Sequence, residues 1–97
     1  PPESEQAIKV MVVNFGEQTE EDGIKIAQKL RANAIKSEFY PKPAKMKKQM
    51  NFANSNNIPY VILAGEDEFK SQKLTLKNMD SGEQQKLSLE DIIDHLH

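Results

Sequence analysis

Ninety-seven residues, 37% hydrophobic and 29% charged, suffice for one small domain with a modest core. The chain has no cysteine, which excludes disulfides and thiolate nucleophiles and fits a reducing compartment; no apolar run approaches the roughly 20 residues of a membrane span. The net charge of −2 speaks against general nucleic-acid coating, but residues 39–65 hold four lysines and no acid, leaving nine basic and fifteen acidic residues elsewhere. A basic island on an acidic domain suits a local polyanion contact; a solvated helix face is the plainer alternative.

The chain opens at Pro1 rather than Met, as expected of a piece of a longer protein. Residues 1–7 are expected to be a linker remnant or disordered, with Pro1–Gln6 frayed, and residues 8–97 to form the domain. Ile8–Val13 is the first β-type run, broken by Asn14-Phe15-Gly16. Thr19 can cap a helix whose first turn carries Glu20, Glu21 and Asp22 at the positive end of the dipole. Ile24, Ala27, Leu30 and Arg31 follow at helical spacing, with Ile26 widening the apolar face. The spacing predicts a helix from about Thr19 to Ala32, weakened by Gly23 and ended by Asn33 in the left-handed region. Lys36–Tyr40 alternates like a strand and is stopped by Pro41 and Pro43. Met46, Met50 and Ala53 fall at i, i+4 and i+7, predicting a second helix from about Ala44 to Asn56.

Pro59–Ala64 is a short apolar run of the kind covered on both faces. Gly65 allows a turn, and Glu66-Asp67-Glu68 forms an acidic loop just past the strand, where open α/β sheets place ligand sites. Lys73–Lys77 and Glu83–Leu87 read as a hairpin about the Asp80-Ser81-Gly82 turn. Ser88-Leu89-Glu90-Asp91 starts a last helix, whose Leu89, Ile92, Ile93 and Leu96 make an i, i+3, i+4, i+7 stripe. The order β-α-β-α-β-β-β-α predicts an α/β fold. Its mixed five-stranded sheet has one antiparallel strand and helices on both faces.

Several chemistries find no support. His95 and His97 are two apart, a spacing that turns them to different helix faces, so solvated tail residues are the simpler reading than a metal pair. The four glycines are scattered and make no phosphate loop. Glu66, Asp67 and Glu68 could be a metal site, an acid/base pair or a solvated turn. One of them could instead accept hydrogen bonds from a nucleobase edge. That chemistry needs one acid beside basic groups, and Lys42, Lys45 and Lys48 around the second helix start can contact phosphates. Gln49 lies one turn on from Lys45. Phe15 and Tyr40, near strand ends, could stack on splayed bases or pack in the core. Lys77, in the strand after the acidic loop, could reach the same surface.

The set Val10-Met11-Val12-Val13 with Gly16-Glu17, Ala27-Gln28-Lys29-Leu30-Arg31, Lys45-Met46-Lys47-Lys48-Gln49-Met50 with Ala53, Pro59–Leu63, Gly65-Glu66-Asp67-Glu68, Leu74-Thr75-Leu76-Lys77-Asn78-Met79 and Ser81-Gly82-Glu83-Gln84 resembles the C-terminal anticodon-binding domain of class II aminoacyl-tRNA synthetases. Thr-Leu-Lys with Gly-Glu-Gln points to the histidyl branch. The resemblance runs from about Ile8 to Leu96 and implies a three-layer α/β/α fold that binds the anticodon stem-loop of tRNA. It implies base contacts from Glu68 and Lys77, the latter standing where the threonyl branch has Arg. Lys45, Lys48 and Gln49 match the family's basic second helix.

The implied parent is a cytoplasmic histidine–tRNA ligase without membrane association. It would use ATP and Mg²⁺ in a separate catalytic domain, through which it would form a homodimer. The domain itself would then hold no catalytic residue, metal or cofactor. A regulatory tRNA-binding paralogue domain and a small-ligand α/β module with an acidic metal loop are the alternatives.

Overall fold

A row of five short strands, apolar in β1 (Val10–Val12) and β3 (Tyr60–Leu63), forms the centre of the molecule. The computed structural model describes residues 8–96, without the side chains of Gln18, Glu66, Asp67 and Phe69. The segment expected to fray, Pro1–Gln6, and the tail residue His97 lie outside the described residues. The strands are β1 (Val10–Val12), β2 (Ser37–Phe39), β3 (Tyr60–Leu63), β4 (Leu74–Asn78) and β5 (Gln84–Leu87), and the helices are α1 (Glu17–Ala32), α2 (Met46–Ser55), α3 (Glu66–Ser71) and α4 (Leu89–Leu96). The sheet order is β2-β1-β3-β4-β5. β1 runs parallel to β2 and β3, and β4 runs antiparallel to β3 and β5. This is the expected mixed sheet, with β4 its single antiparallel strand.

The pleat divides the apolar residues between two cores. Val10, Val12, Ile62, Leu74 and Leu76 pack with Ile26, Ala27 and Leu30 of α1 and Ile92, Ile93 and Leu96 of α4. Met11, Val13 and Val61 point the other way, toward Met50, Phe52 and Ala53 of α2. The sheet is therefore the middle of three layers. β1 lies between two strands and under helices on both faces, and all three of its residues are fully buried.

Local departures from the sequence expectations have steric causes. α1 begins at Glu17; its N-cap is Gly16, at φ 124°, a conformation that only glycine adopts freely. Thr19 is thus inside the helix, with its hydroxyl donating to the Gly16 carbonyl (3.4 Å). The buried stripe of α1 runs through Ile26, Ala27 and Leu30, and Ile24 stays 38% exposed. Gly23 continues that stripe: a Cβ there would collide with the Phe39 ring of β2. The glycine that weakens the helix on propensity grounds is what lets β2 approach it.

Helix ends follow one pattern. Asn33 is not left-handed (φ −103°); the left-handed residue is the next one, Ala34 (φ 64°). Ala34 N–H donates to Arg31 O and Ile35 N–H to Leu30 O, the Schellman pair, with Ile35 and Leu30 both in the core. α2 ends likewise through Asn57 (φ 56°), with Ile58 N–H donating to Ala53 O (2.9 Å). α3 ends through Gln72 (φ 61°), with Lys73 N–H donating to Glu68 O (3.1 Å). None of the three is glycine.

The stretch expected as an acidic loop begins a short helix, α3. Its six residues make under two turns, too few for an amphipathic period to be readable. The hairpin and α4 form as expected, with Ser88 Oγ accepting from Asp91 N–H (3.2 Å) at the α4 start.

Replacing Ala34 with Gly removes a left-handed penalty of about 1–2 kcal/mol while adding unfolded-chain freedom of about half that. Ala34→Gly is therefore expected to stabilise the domain by about 0.5–1 kcal/mol. Urea denaturation should show a higher midpoint at unchanged m-value; a lower midpoint would show that Ala34 is not left-handed in solution.

Candidate nucleic-acid interface

The sheet has a topological switch between β1 and β3. From β1 the chain turns toward β2, and from β3 it turns toward β4. The crevice at the C-terminal ends of such a strand pair is the usual ligand position in open α/β sheets. Phe15 follows β1 here and is 47% exposed. Gly65 follows β3, and a Cβ at Gly65 would lie 3.8 Å from the Phe15 ring and 3.1 Å from Glu68 Oε1. The absence of a side chain leaves room for the Glu68 carboxylate against the Gly65 backbone, on the side of the turn where the Phe15 ring also lies. Of the two aromatics proposed for stacking, Phe15 is presented to solvent. Tyr40 is buried, edge-on against Phe52 with ring centroids 5.3 Å apart.

Glu68 is half-buried, and its Oε1 accepts from Gly65 N–H (2.8 Å). It is the third residue of α3 reaching back to the residue before the helix, the carboxylate half of a capping box. With Ile26, Gln72, Leu74 and Leu89 it lines a shallow groove on the α1–α4 side. Lys77 lies elsewhere. It pairs across the sheet with Val61 and Gln84 and alternates with the core residues Leu74 and Leu76, so it points to the opposite, α2 face. The structure does not bring Glu68 and Lys77 together.

The lysines do converge. Lys42 lies in the loop after β2, Lys45 is the N-cap of α2, and Lys47 and Lys48 are in its first turn; all four are exposed. The α2 start has no side-chain cap and no acid in its first turn. Among the described residues the one ion pair is Lys25–Glu21, on α1. Four ammonium groups and the positive end of a helix dipole thus share one edge without a paired carboxylate there, which favours phosphate.

Gln49 is corrected by the structure. Expected beside the lysines as an RNA contact, it is 1% exposed. Its Oε1 accepts from Asn14 N–H (2.8 Å), and its Nε2 donates to Asn14 O (2.8 Å) and Ala44 O (2.8 Å). Asn14, also 1% exposed, donates to Tyr40 O (3.1 Å) and accepts from Gly16 N–H (2.9 Å). The signal was present in the helical spacing, because Gln49 lies one turn before Ala53 and beside Met50, whereas Met46, which opens the expected stripe, is 37% exposed. Asn14, read from the sequence only as a strand breaker, is its partner.

Residues 9–97 match the model of the family described as the anticodon binding domain. The chain belongs to that family. The histidine–tRNA ligase of Bacteroides fragilis is 44% identical over 93 residues, covering 96% of this anticodon-binding domain and 20% of the ligase. That of Christiangramia forsetii is 49% identical over 79 residues, 81% of the domain and 17% of the ligase. The crystal structure of histidyl-tRNA synthetase from Nostoc sp. PCC 7120 superposes with a TM-score of 0.89 at 27% identity, covering 94% of the domain and 22% of that chain. The anticodon-binding domain thus spans about a fifth of the length of these relatives.

Because Glu68 caps its own helix, Glu68→Ala is expected to destabilise the domain by about 1 kcal/mol. Glu68→Gln, which keeps an acceptor for Gly65 N–H, should lose less. Thermal and urea denaturation of the two variants provide the check; equal losses would argue against the cap.

Proposed function

We propose that this anticodon-binding domain recognises a tRNA anticodon stem-loop, that the tRNA is the histidine acceptor, and that the domain serves a histidine–tRNA ligase. The observation that carries the reading is the meeting, at one sheet edge, of an exposed aromatic ring at the topological switch and a lysine cluster around an uncapped helix start. A splayed base can stack on Phe15. Lys42, Lys45 and Lys48 neutralise the phosphates on either side of it. Glu68 adds a base-edge acceptor next to the ring, and Lys77 serves nucleotides lying over the α2 face of the sheet. The ligase assignment is supported by the names and identities of the relatives. Histidine activation with ATP and Mg²⁺ then belongs to the part of the ligase that this chain does not span.

The reading predicts that the domain binds a histidine-tRNA anticodon stem-loop more tightly than the same stem-loop with a changed anticodon. Titration by fluorescence anisotropy at moderate salt measures this, and equal affinities would leave only a backbone contact. Phe15→Ala should lose about 1–3 kcal/mol of binding. Lys45→Ala should weaken all stem-loops alike and reduce the salt slope by about 1.

A further inference from the structure

The ring and the lysines come from segments far apart in sequence, and the sheet ladder does not extend to them. Pairing of β1 with β2 ends at Val12 and Phe39, with Tyr40 N–H donating to Val12 O as the last bond. Beyond it the neighbour of Asn14 is a side chain. The Gln49 amide satisfies both the N–H and the C=O of Asn14, as one residue of an antiparallel strand would. Its second N–H holds Ala44 O, between Lys42 and Lys45. The Asn14 amide holds Tyr40 O, where the same loop begins. The loop carrying Lys42 is therefore gripped at both ends by two buried amides, with Pro41 and Pro43 restricting the backbone between. Phe15 is the next residue after Asn14. Among the described residues no buried side-chain polar atom lacks a partner, so the network is complete without a ligand.

We infer that Gln49 and Asn14 are positioning residues: they fix the spacing between the Phe15 ring and the Lys42–Lys45 segment, so that stacking and phosphate contact operate as one preorganised unit. The inference rests on the tRNA-binding reading above. Neither amide touches RNA. Each holds the backbone that bears a contact residue, and the benefit is ordering done before the RNA arrives.

Gln49→Met is the decisive variant, because it keeps length and volume while deleting the three hydrogen bonds of the amide. Affinity for the anticodon stem-loop is measured at a temperature where circular dichroism shows the variant fully folded. Phe15→Ala and Lys45→Ala are measured singly and together in both backgrounds. The expected result is binding about tenfold weaker for Gln49→Met, within the range that coupled neighbours show. Synergy between Phe15→Ala and Lys45→Ala should be present with Gln49 and absent with Gln49→Met.

Wild-type affinity for folded Gln49→Met, or synergy of the same size in both backgrounds, overturns the inference and reduces the amides to fold stability. If Gln49→Met does not fold, amide hydrogen exchange of the unmodified domain decides. The Asn14 N–H should exchange as slowly as the β1 core amides, and exchange at loop rates overturns the positioning role. Failure of the unmodified domain to bind any stem-loop counts against the tRNA reading itself, and is distinct from these outcomes.

Discussion

Burial of β1 on both faces and along both edges is the constraint on which the remaining structure depends. A strand of three fully buried residues cannot lie at a sheet edge or under a single layer. It requires a partner strand on each side and a layer on each face; here both partners are parallel to it, and parallel neighbours are reached through helical crossovers. α1 and α2 are those crossovers, and the switch point where Phe15 meets Gly65 is the geometric result. Phe15 and the Lys42–Lys48 cluster gather at one edge because β1, β2 and β3 are parallel and their C-terminal ends coincide there.

Much of the fold was readable from the residues. Alternation marked the hairpin, Pro41 and Pro43 marked the end of β2, and Ser88 with the Leu89–Leu96 stripe marked α4. What escaped was decided by contacts between elements. Gly23 carries a helix penalty on any local scale, and its value comes from a ring on a neighbouring strand. Ile24 satisfies helical spacing, but the close approach at Gly23 rotates the buried stripe away from it. α3 is held by Gly65 and Glu68 at its start and by a left-handed Gln72 at its end, none of which produces a periodic pattern.

The candidate site was legible as a composition and less so as a geometry. The lysines and Phe15 are where their sequence context put them. Gln49 has the same chemical vocabulary as an RNA contact, and only its position one turn before the buried Ala53 separates it from its exposed neighbours. Glu68 and Lys77 show the opposite problem. Matched motifs place them near one another in the chain order, while the pleat and the capping bond send them to different sides of the sheet. A motif therefore identifies the residues in a region; pleat parity and backbone capping decide which can act on one ligand.

The brevity of β2 has a consequence beyond packing. It is one of the two outer strands, only three residues long, followed after Tyr40 by Pro41 and then Pro43, neither of which can donate a backbone hydrogen bond. The other outer strand, β5, is exposed over Gln84, Gln85 and Lys86 and places a charge on its rim. A foreign strand seeking to extend the sheet would find a template too short on one side and charged on the other. Such margins disfavour edge-to-edge pairing between copies of the domain, independently of the lysine-bearing edge.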